Sequence, residues 1–347
     1  MKKVTQSFVS IVIGLLIAFI LAEGILHAYN PFPSRIRGNE ILLKANLTRT
    51  IKLDPPVPGL DSLFVHEVNE LGFRGESWPS NPSERTKIIV VGGSTTECSM
   101  QANNKTWPAI MEQALKPYLP NVWVNNAGLD GCSTYGHIIL MRDYIIDLKP
   151  EYVLFLIGVN DRGKANFDHE DGFLLTRNES WLRSVAKKSE LLTLIDNLYK
   201  SYQAHAVQLG HHFNSSQTDN AQISTSTTNK QDAIKKANEK FTFHTKYLPT
   251  YLNRVDSLTQ LALQHQIEPI YITQPLLDDT GSTGWKIMEL YNHALLDYCK
   301  KNKIKCIDLA NAMPKEKELY YDNMHYSNVG ARLVGQIVAD SLIQLIP

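Results

Sequence analysis

The chain has 347 residues, 35 Lys and Arg against 35 Asp and Glu, 43% hydrophobic residues and 4 Cys. A formal net charge of zero and the absence of any run of five or six like charges leave no basic field for a phosphate backbone, which argues against nucleic acid as a partner. Cys98, Cys132, Cys299 and Cys306 are too few for a disulfide scaffold and lack the short paired spacing of a structural zinc site, so the fold rests on an apolar core.

Lys2 and Lys3 precede a stretch, Phe8 to Ala22, without a charged side chain, and the apolar character continues through Ile25, Leu26 and Tyr29. As helix this is about 22 residues and roughly 33 Å, enough to cross a bilayer core. A cut after Ala22 would place Ile20 where a signal peptidase requires a small residue, so residues 1–30 are read as an uncleaved membrane anchor rather than a removed signal segment. Lys2 and Lys3 on one side face Arg35, Arg37 and Lys44 on the other, so charge alone does not set the orientation. An N-terminal apolar segment is the usual export signal, which places the rest of the chain in the periplasm or outside the cell. There Cys299 with Cys306, or Cys98 with Cys132, meets oxidising conditions.

Residues 31–85 are rich in Pro and short on periodicity, and read as an irregular stalk in which NELGFRGE (Asn69 to Glu76) is a compact turn carrying an Arg. From residue 86 strand and helix signals alternate. Lys87 to Gly93 is a β-branched run, as in a strand buried on both faces of a parallel sheet. A helix over 106–116, a strand over 121–127, a helix over 133–148 and a strand over 152–158 follow, implying right-handed crossovers and a doubly wound sheet. The alternation lapses over 162–265, an insertion with helical patterns at 177–208 and 231–266 around a polar, low-complexity stretch at 213–230. It resumes with a strand in EPIYITQPLL, a helix over 285–301, the strand IKCIDLA and a last helix over 328–345. No internal repeat is visible.

Ligands of an open parallel sheet bind beyond the carboxyl ends of its strands. The first strand runs into Gly92-Gly93-Ser94-Thr95, the second into Asn126-Ala127-Gly128-Leu129-Asp130-Gly131-Cys132, the third into Gly158-Val159-Asn160-Asp161, and Asp322-Asn323-Met324-His325 precedes the last helix. These groups suit acyl transfer. Ser94, at a sharp strand-to-helix turn, is the candidate nucleophile, His325 its base, and Asp322 the group that holds the imidazole tautomer. The backbone N–H groups of Ser94 and Gly131 and the side-chain amide of Asn160 are candidate oxyanion donors. Taken singly, each segment also reads as an ordinary turn or helix cap. GGST without a following Lys is a poor phosphate loop.

GGST, NAGLDGCST, GVND and DNMH together resemble the four sequence blocks of the SGNH (GDSL-like) hydrolases, over roughly residues 86–161 and 266–347. The resemblance implies a flavodoxin-like three-layer α/β/α sandwich with a five-stranded parallel sheet, no metal or other cofactor, and hydrolysis of carboxylic esters through an acyl-enzyme. It assigns Ser94, Asp322 and His325 to catalysis and Gly131 and Asn160 to the oxyanion hole. The anchor followed by the Asn-Leu-Gly-Phe-Arg-Gly-like turn is similar to membrane-attached bacterial members. Two departures stand out: Gly93 occupies a place where the family often has Asp, and residues 162–265 match no block.

The expected organisation is an anchor (1–30), a stalk (31–85) and a hydrolase domain (86–347) with its insertion. The expected function is a membrane-anchored serine esterase acting on lipid acyl or O-acetyl groups. The alternatives are a cell-surface polysaccharide O-acetyltransferase using the same triad, and a non-catalytic binding module on the same fold. His211 with His212 reads as a solvated pair and Glu97 as a helix-face residue. Cys98 and Cys132 read as buried thiols. Asn46, Asn104, Asn178 and Asn214 begin Asn-X-Ser/Thr triplets at a density expected by chance.

Overall fold

The computed structural model describes residues 2–28, 36–37, 40–41, 43, 45–162, 189, 191–192, 195, 230–277 and 282–346. The expected helix at 177–208 and the polar stretch up to residue 229, with His211, His212, Asn178 and Asn214, lie outside the described residues apart from four isolated positions. The chain divides into two compact units, residues 1–42 with 176–214 and residues 43–175 with 215–347.

In the first unit, α1 (Lys2–Ala28) is one uninterrupted helix. Its stretch Ser7–Leu26 is long and apolar enough to cross a membrane, as a signal sequence also is. Phe8, Leu15 and Ile20 are among its exposed side chains. Strands β1 (Ile36–Arg37) and β2 (Glu40–Ile41) pair antiparallel.

The second unit departs from expectation at its start. Within the supposed stalk, β3 (Leu47–Lys52) and β4 (Leu63–Val68) form an antiparallel hairpin. The supposed turn contains β5 (Arg74–Gly75), which pairs with the main sheet. That sheet continues with β6 (Thr86–Gly92), β7 (Val122–Asn126), β8 (Tyr152–Leu156), β9 (Glu268–Ile272) and β10 (Lys305–Ile307), in the spatial order β10-β9-β8-β6-β7-β5. The five strands from β6 onward are parallel, and β5 is an antiparallel edge on β7. In order of appearance the parallel strands lie 2-1-3-4-5, the flavodoxin-like order, whose switch point falls between β6 and β8.

The helices are α2 (Ser94–Glu97), α3 (Trp107–Leu115), α4 (Thr134–Leu140), α5 (Ile146–Leu148), α6 (Lys230–Lys246), α7 (Leu248–Gln264), α8 (Thr283–Asn302), α9 (Leu309–Ala312) and α10 (Asn328–Leu345). Thr106 and Ser133 cap α3 and α4 by accepting from the N–H groups of Ala109 and Tyr135. The single helix expected over 133–148 is α4 and α5 joined by a π-helical turn at Met141–Ile145. Such a turn fits one extra residue without ending the helix.

Side chains alternate across each strand and build two core layers. Ile88, Val90, Leu154, Leu156, Ile270 and Ile272 share one layer with Trp107 and Met111 of α3 and Val334, Val338 and Leu342 of α10. On the opposite face Phe155 stacks on Tyr271, whose hydroxyl donates to the Val255 carbonyl of α7, and Tyr251 of α7 meets Tyr291 of α8. The sheet is thus covered on both faces, and its strand ends on one side are left to the loops.

Candidate active site

Ser94 opens α2 directly after β6. Although α2 is only one turn long, it is held from three directions. The indole Nε1 of Trp107 donates to the Thr95 carbonyl at 3.0 Å, the Asn126 amide to the Thr96 carbonyl at 2.6 Å, and the Thr95 hydroxyl to Gln274 Oε1 at 2.9 Å. The nucleophile candidate therefore stands on rigid backbone.

The loop before α10 presents the second half of the site. A β-bridge between Tyr320 and Tyr326 closes its base, and the Tyr321 N–H donates to the His325 carbonyl at 3.0 Å. Inside it, Asp322 Oδ1 accepts from the backbone N–H groups of Met324 (2.9 Å) and His325 (2.7 Å). Asp322 Oδ2 lies 2.6 Å from His325 Nδ1, and His325 Nε2 lies 2.8 Å from Ser94 Oγ. The Tyr321 ring stacks on the imidazole at 5.4 Å and 7°. Partial burial is the largest influence on the Asp322 carboxyl and pushes it up. The adjoining imidazole and the two N–H donors outweigh it, so the carboxyl lies below its ordinary range. With Nδ1–H donated to that carboxylate, Nε2 is left as the acceptor that faces the Ser94 hydroxyl.

The other two segments converge beside Ser94. After β7 the chain turns back: the Ala127 N–H donates to the Val90 carbonyl, Leu129 N–H to Gly92, and Asp130 N–H to Glu97 Oε2 at 2.5 Å. Glu97 is thus buried and tied to the loop that carries Gly131, rather than lying on an open helix face. Gly131 has φ +69°, a left-handed conformation that glycine adopts without a steric penalty, and open space lies where a Cβ would point. Asn160 follows β8 and donates through Nδ2 to the Cys132 carbonyl at 3.0 Å. Of the five residues expected at the site, Asp322, His325 and Ser94 form one chain of hydrogen bonds. Asn160 lies against Gly93, next to Ser94, and Gly131 precedes the carbonyl that Asn160 binds.

All four cysteines are thiols; Cys98, Cys132 and Cys299 are buried, and burial pushes the Cys98 thiol up to about 12. Among the described residues no group of three or more His, Cys, Asp or Glu is arranged to hold a metal ion.

Sequence reasoning missed several supporting side chains. Gln274, fully buried just past β9, accepts from Thr95, donates weakly to the Tyr326 hydroxyl at 3.5 Å, and so bridges the serine and histidine segments. The search for polar groups at strand ends, carried to the fourth strand, finds it. Arg74 gives no such signal, yet it is buried against the chain that follows α2.

No curated protein sequence matches this chain. Among solved structures, the acetylxylan esterase Axe2 from Geobacillus stearothermophilus is 14% identical, with a TM-score of 0.44 over 75% of this chain and 93% of that one. TesA is 13% identical, with a TM-score of 0.45 over 75% of this chain and 99% of that one. A model of the GDSL-like lipase/acylhydrolase family matches residues 90–333, well over half of the length and all four of the site's segments, so the chain belongs to that family and is an ester-bond hydrolase.

Proposed function

We propose that the protein is a membrane-anchored serine esterase that removes lipid acyl or O-acetyl groups outside the cytoplasm, with Ser94, His325 and Asp322 as its triad. The observation that carries this reading is the unbroken hydrogen-bond chain Asp322–His325–Ser94, at 2.6 and 2.8 Å, between residues 231 positions apart in sequence. In the reaction, Ser94 Oγ attacks the ester carbonyl as its proton passes to His325 Nε2, and Asp322 stabilises the imidazolium. The backbone N–H groups of Ser94 and Gly131 and the Asn160 amide receive the negative charge that builds on the carbonyl oxygen. Losing one such donor typically costs about 100- to 1000-fold in turnover. Collapse of the tetrahedral species expels the alcohol, which takes the proton from Nε2. Water then attacks the acyl-serine by the same route in reverse. The apolar α1 supports tethering to a membrane.

The test is hydrolysis of short- and long-chain activated esters by the full chain in detergent, comparing wild type with Ser94→Ala and His325→Ala. The expected result is loss of about 10⁴-fold or more in kcat for both variants; equal turnover by all three sinks the proposal. A sugar hydroxyl supplied as acceptor separates the alternative reading, since transfer of the acyl group to sugar in preference to water would make the enzyme an acyltransferase on the same acyl-serine.

A further inference from the structure

The insertion that matches no sequence block ends in α7, and α7 sends one charged side chain into the interior. Arg254 is 5% exposed and pairs with Asp161, 1% exposed, at 3.0 Å. Thr134, fully buried, completes a ring. Its Oγ1 accepts from Arg254 Nε at 2.6 Å and donates to Asp161 Oδ1 at 2.6 Å, while its backbone N–H donates to the same oxygen at 3.1 Å. The guanidinium also lies 4.0 Å from the Tyr135 ring centroid and donates through Nη1 to the Thr250 carbonyl of its own helix at 3.2 Å. The two partners of Arg254 are not arbitrary. Asp161 is the residue after Asn160, and Thr134 follows Gly131 by three positions in the segment whose Cys132 carbonyl binds the Asn160 amide. The ring therefore joins the two loops that carry two of the three proposed oxyanion donors.

We infer that Arg254 is a positioning residue: its buried ion pair with Asp161, closed through Thr134, sets the spacing of the Gly131 N–H and the Asn160 amide. The inference rests on the esterase reading above. A buried ion pair gives little stability beyond what apolar packing of the same volume provides, because both charges lose their hydration. What it does supply is direction, since a planar guanidinium with fixed donors holds two loops at one separation. Donors preorganised in this way act on the transition state, where the oxyanion forms, more than on the bound ester.

The experiment compares full-length wild type, Arg254→Gln, Thr134→Val, Leu258→Ala and Ser94→Ala on one short activated ester, well below each variant's Tm. Thr134→Val keeps shape and charge while breaking the ring, so the test survives if Arg254→Gln fails to fold. Leu258, a fully buried core residue of α7, controls for loss of stability alone. The expected result is a fall in kcat of about 10- to 100-fold for Arg254→Gln and Thr134→Val, with KM within about threefold of wild type, and an unchanged kcat for Leu258→Ala despite a lower Tm. Wild-type kcat in folded Arg254→Gln or Thr134→Val, or an equal fall in Leu258→Ala, overturns the positioning role and leaves the esterase reading standing if Ser94→Ala is inert. Full activity in Ser94→Ala overturns both.

Discussion

The Asn160 side-chain nitrogen sits so close above Gly93 that a Cβ on residue 93 would come within 2.2 Å of it. The same nitrogen donates to the Cys132 carbonyl at 3.0 Å, so it has a fixed place between two backbones. The space that a side chain at residue 93 would enter therefore holds the amide. Gly93→Asp is expected to lower kcat by at least about 10-fold, because the amide would move off the position proposed for it as an oxyanion donor. Gly93→Ala is expected to show the same sign. Steady-state kinetics check this, and turnover at or above wild type in either variant refutes the steric account.

Arg74 is 5% exposed and hydrogen-bonds the end of α2 and the segment after it through all three nitrogens. Nη1 donates to the carbonyls of Glu97 and Cys98, both at 2.6 Å; Nη2 donates to the Gln101 carbonyl at 2.6 Å and to Asn103 Oδ1 at 2.7 Å; Nε reaches Asn103 Oδ1 at 3.1 Å. Burial lowers its pKa. Arg74→Lys keeps a charge but offers one donor point where the fork serves several acceptors, so it is not conservative here. Stability is expected to fall by about 2–4 kcal/mol, from the loss of charge-assisted hydrogen bonds to buried carbonyls. Thermal unfolding should show Arg74→Lys close to Arg74→Met; a lysine variant as stable as wild type would falsify this account.

These two residues mark where the sequence could and could not be read. The central parallel strands were legible because β6, β7 and β8 are short apolar runs buried on both faces, and the last helix because its cap and apolar stripe are local. The three strand-end segments follow from that alternation, and the fourth from the last helix that it precedes. By contrast, β5 is two residues long and exists only through pairing with β7, so no window around Arg74 reveals it and the segment reads as a turn. The β3–β4 hairpin is hidden by the proline-rich loop between its strands. Arg254 meets its partners 93 and 120 positions away, a relationship visible only once α7 is packed.

Asp322 bears two separable consequences. Its folded pKa is lowered, so the carboxylate contributes stability that is fully present above the unfolded value near 3.8 and is lost as pH falls through the depressed folded value. Asp322→Asn keeps an oxygen for the Met324 and His325 N–H groups but turns an amide toward Nδ1, favouring the tautomer that points N–H at Ser94. Turnover is expected to fall by about 10⁴-fold at neutral pH. The Tm deficit of the variant should be present at pH 6 and close as pH drops below about 4. A deficit that is constant with pH would show that the loss comes from packing, not from the charge.

Glu112 gives the opposite sign and the clearest route to a more stable protein. It lies on α3 with only 7% exposure, and its Oε1 accepts from the Val124 N–H at 3.3 Å. Burial pushes its carboxyl up to about 7, against the pull of Lys116 and with a further push from Glu76. The folded value therefore exceeds the unfolded one, 4.5 for an ordinary glutamate. Between those two values the native state binds the extra proton, so stability is greatest below the unfolded value, declines as pH rises through the interval, and levels off above the folded value. Glu112→Gln keeps the acceptor for Val124 and cannot ionise, so it removes that decline. The variant should match wild type in stability near pH 4.5 and exceed it at pH 8, by no more than about 3 kcal/mol at 1.36 kcal/mol per pKa unit. Thermal melts at the two pH values decide it: an equal gap at both, or a less stable variant at pH 8, means that the carboxyl is ionised and satisfied in the folded protein.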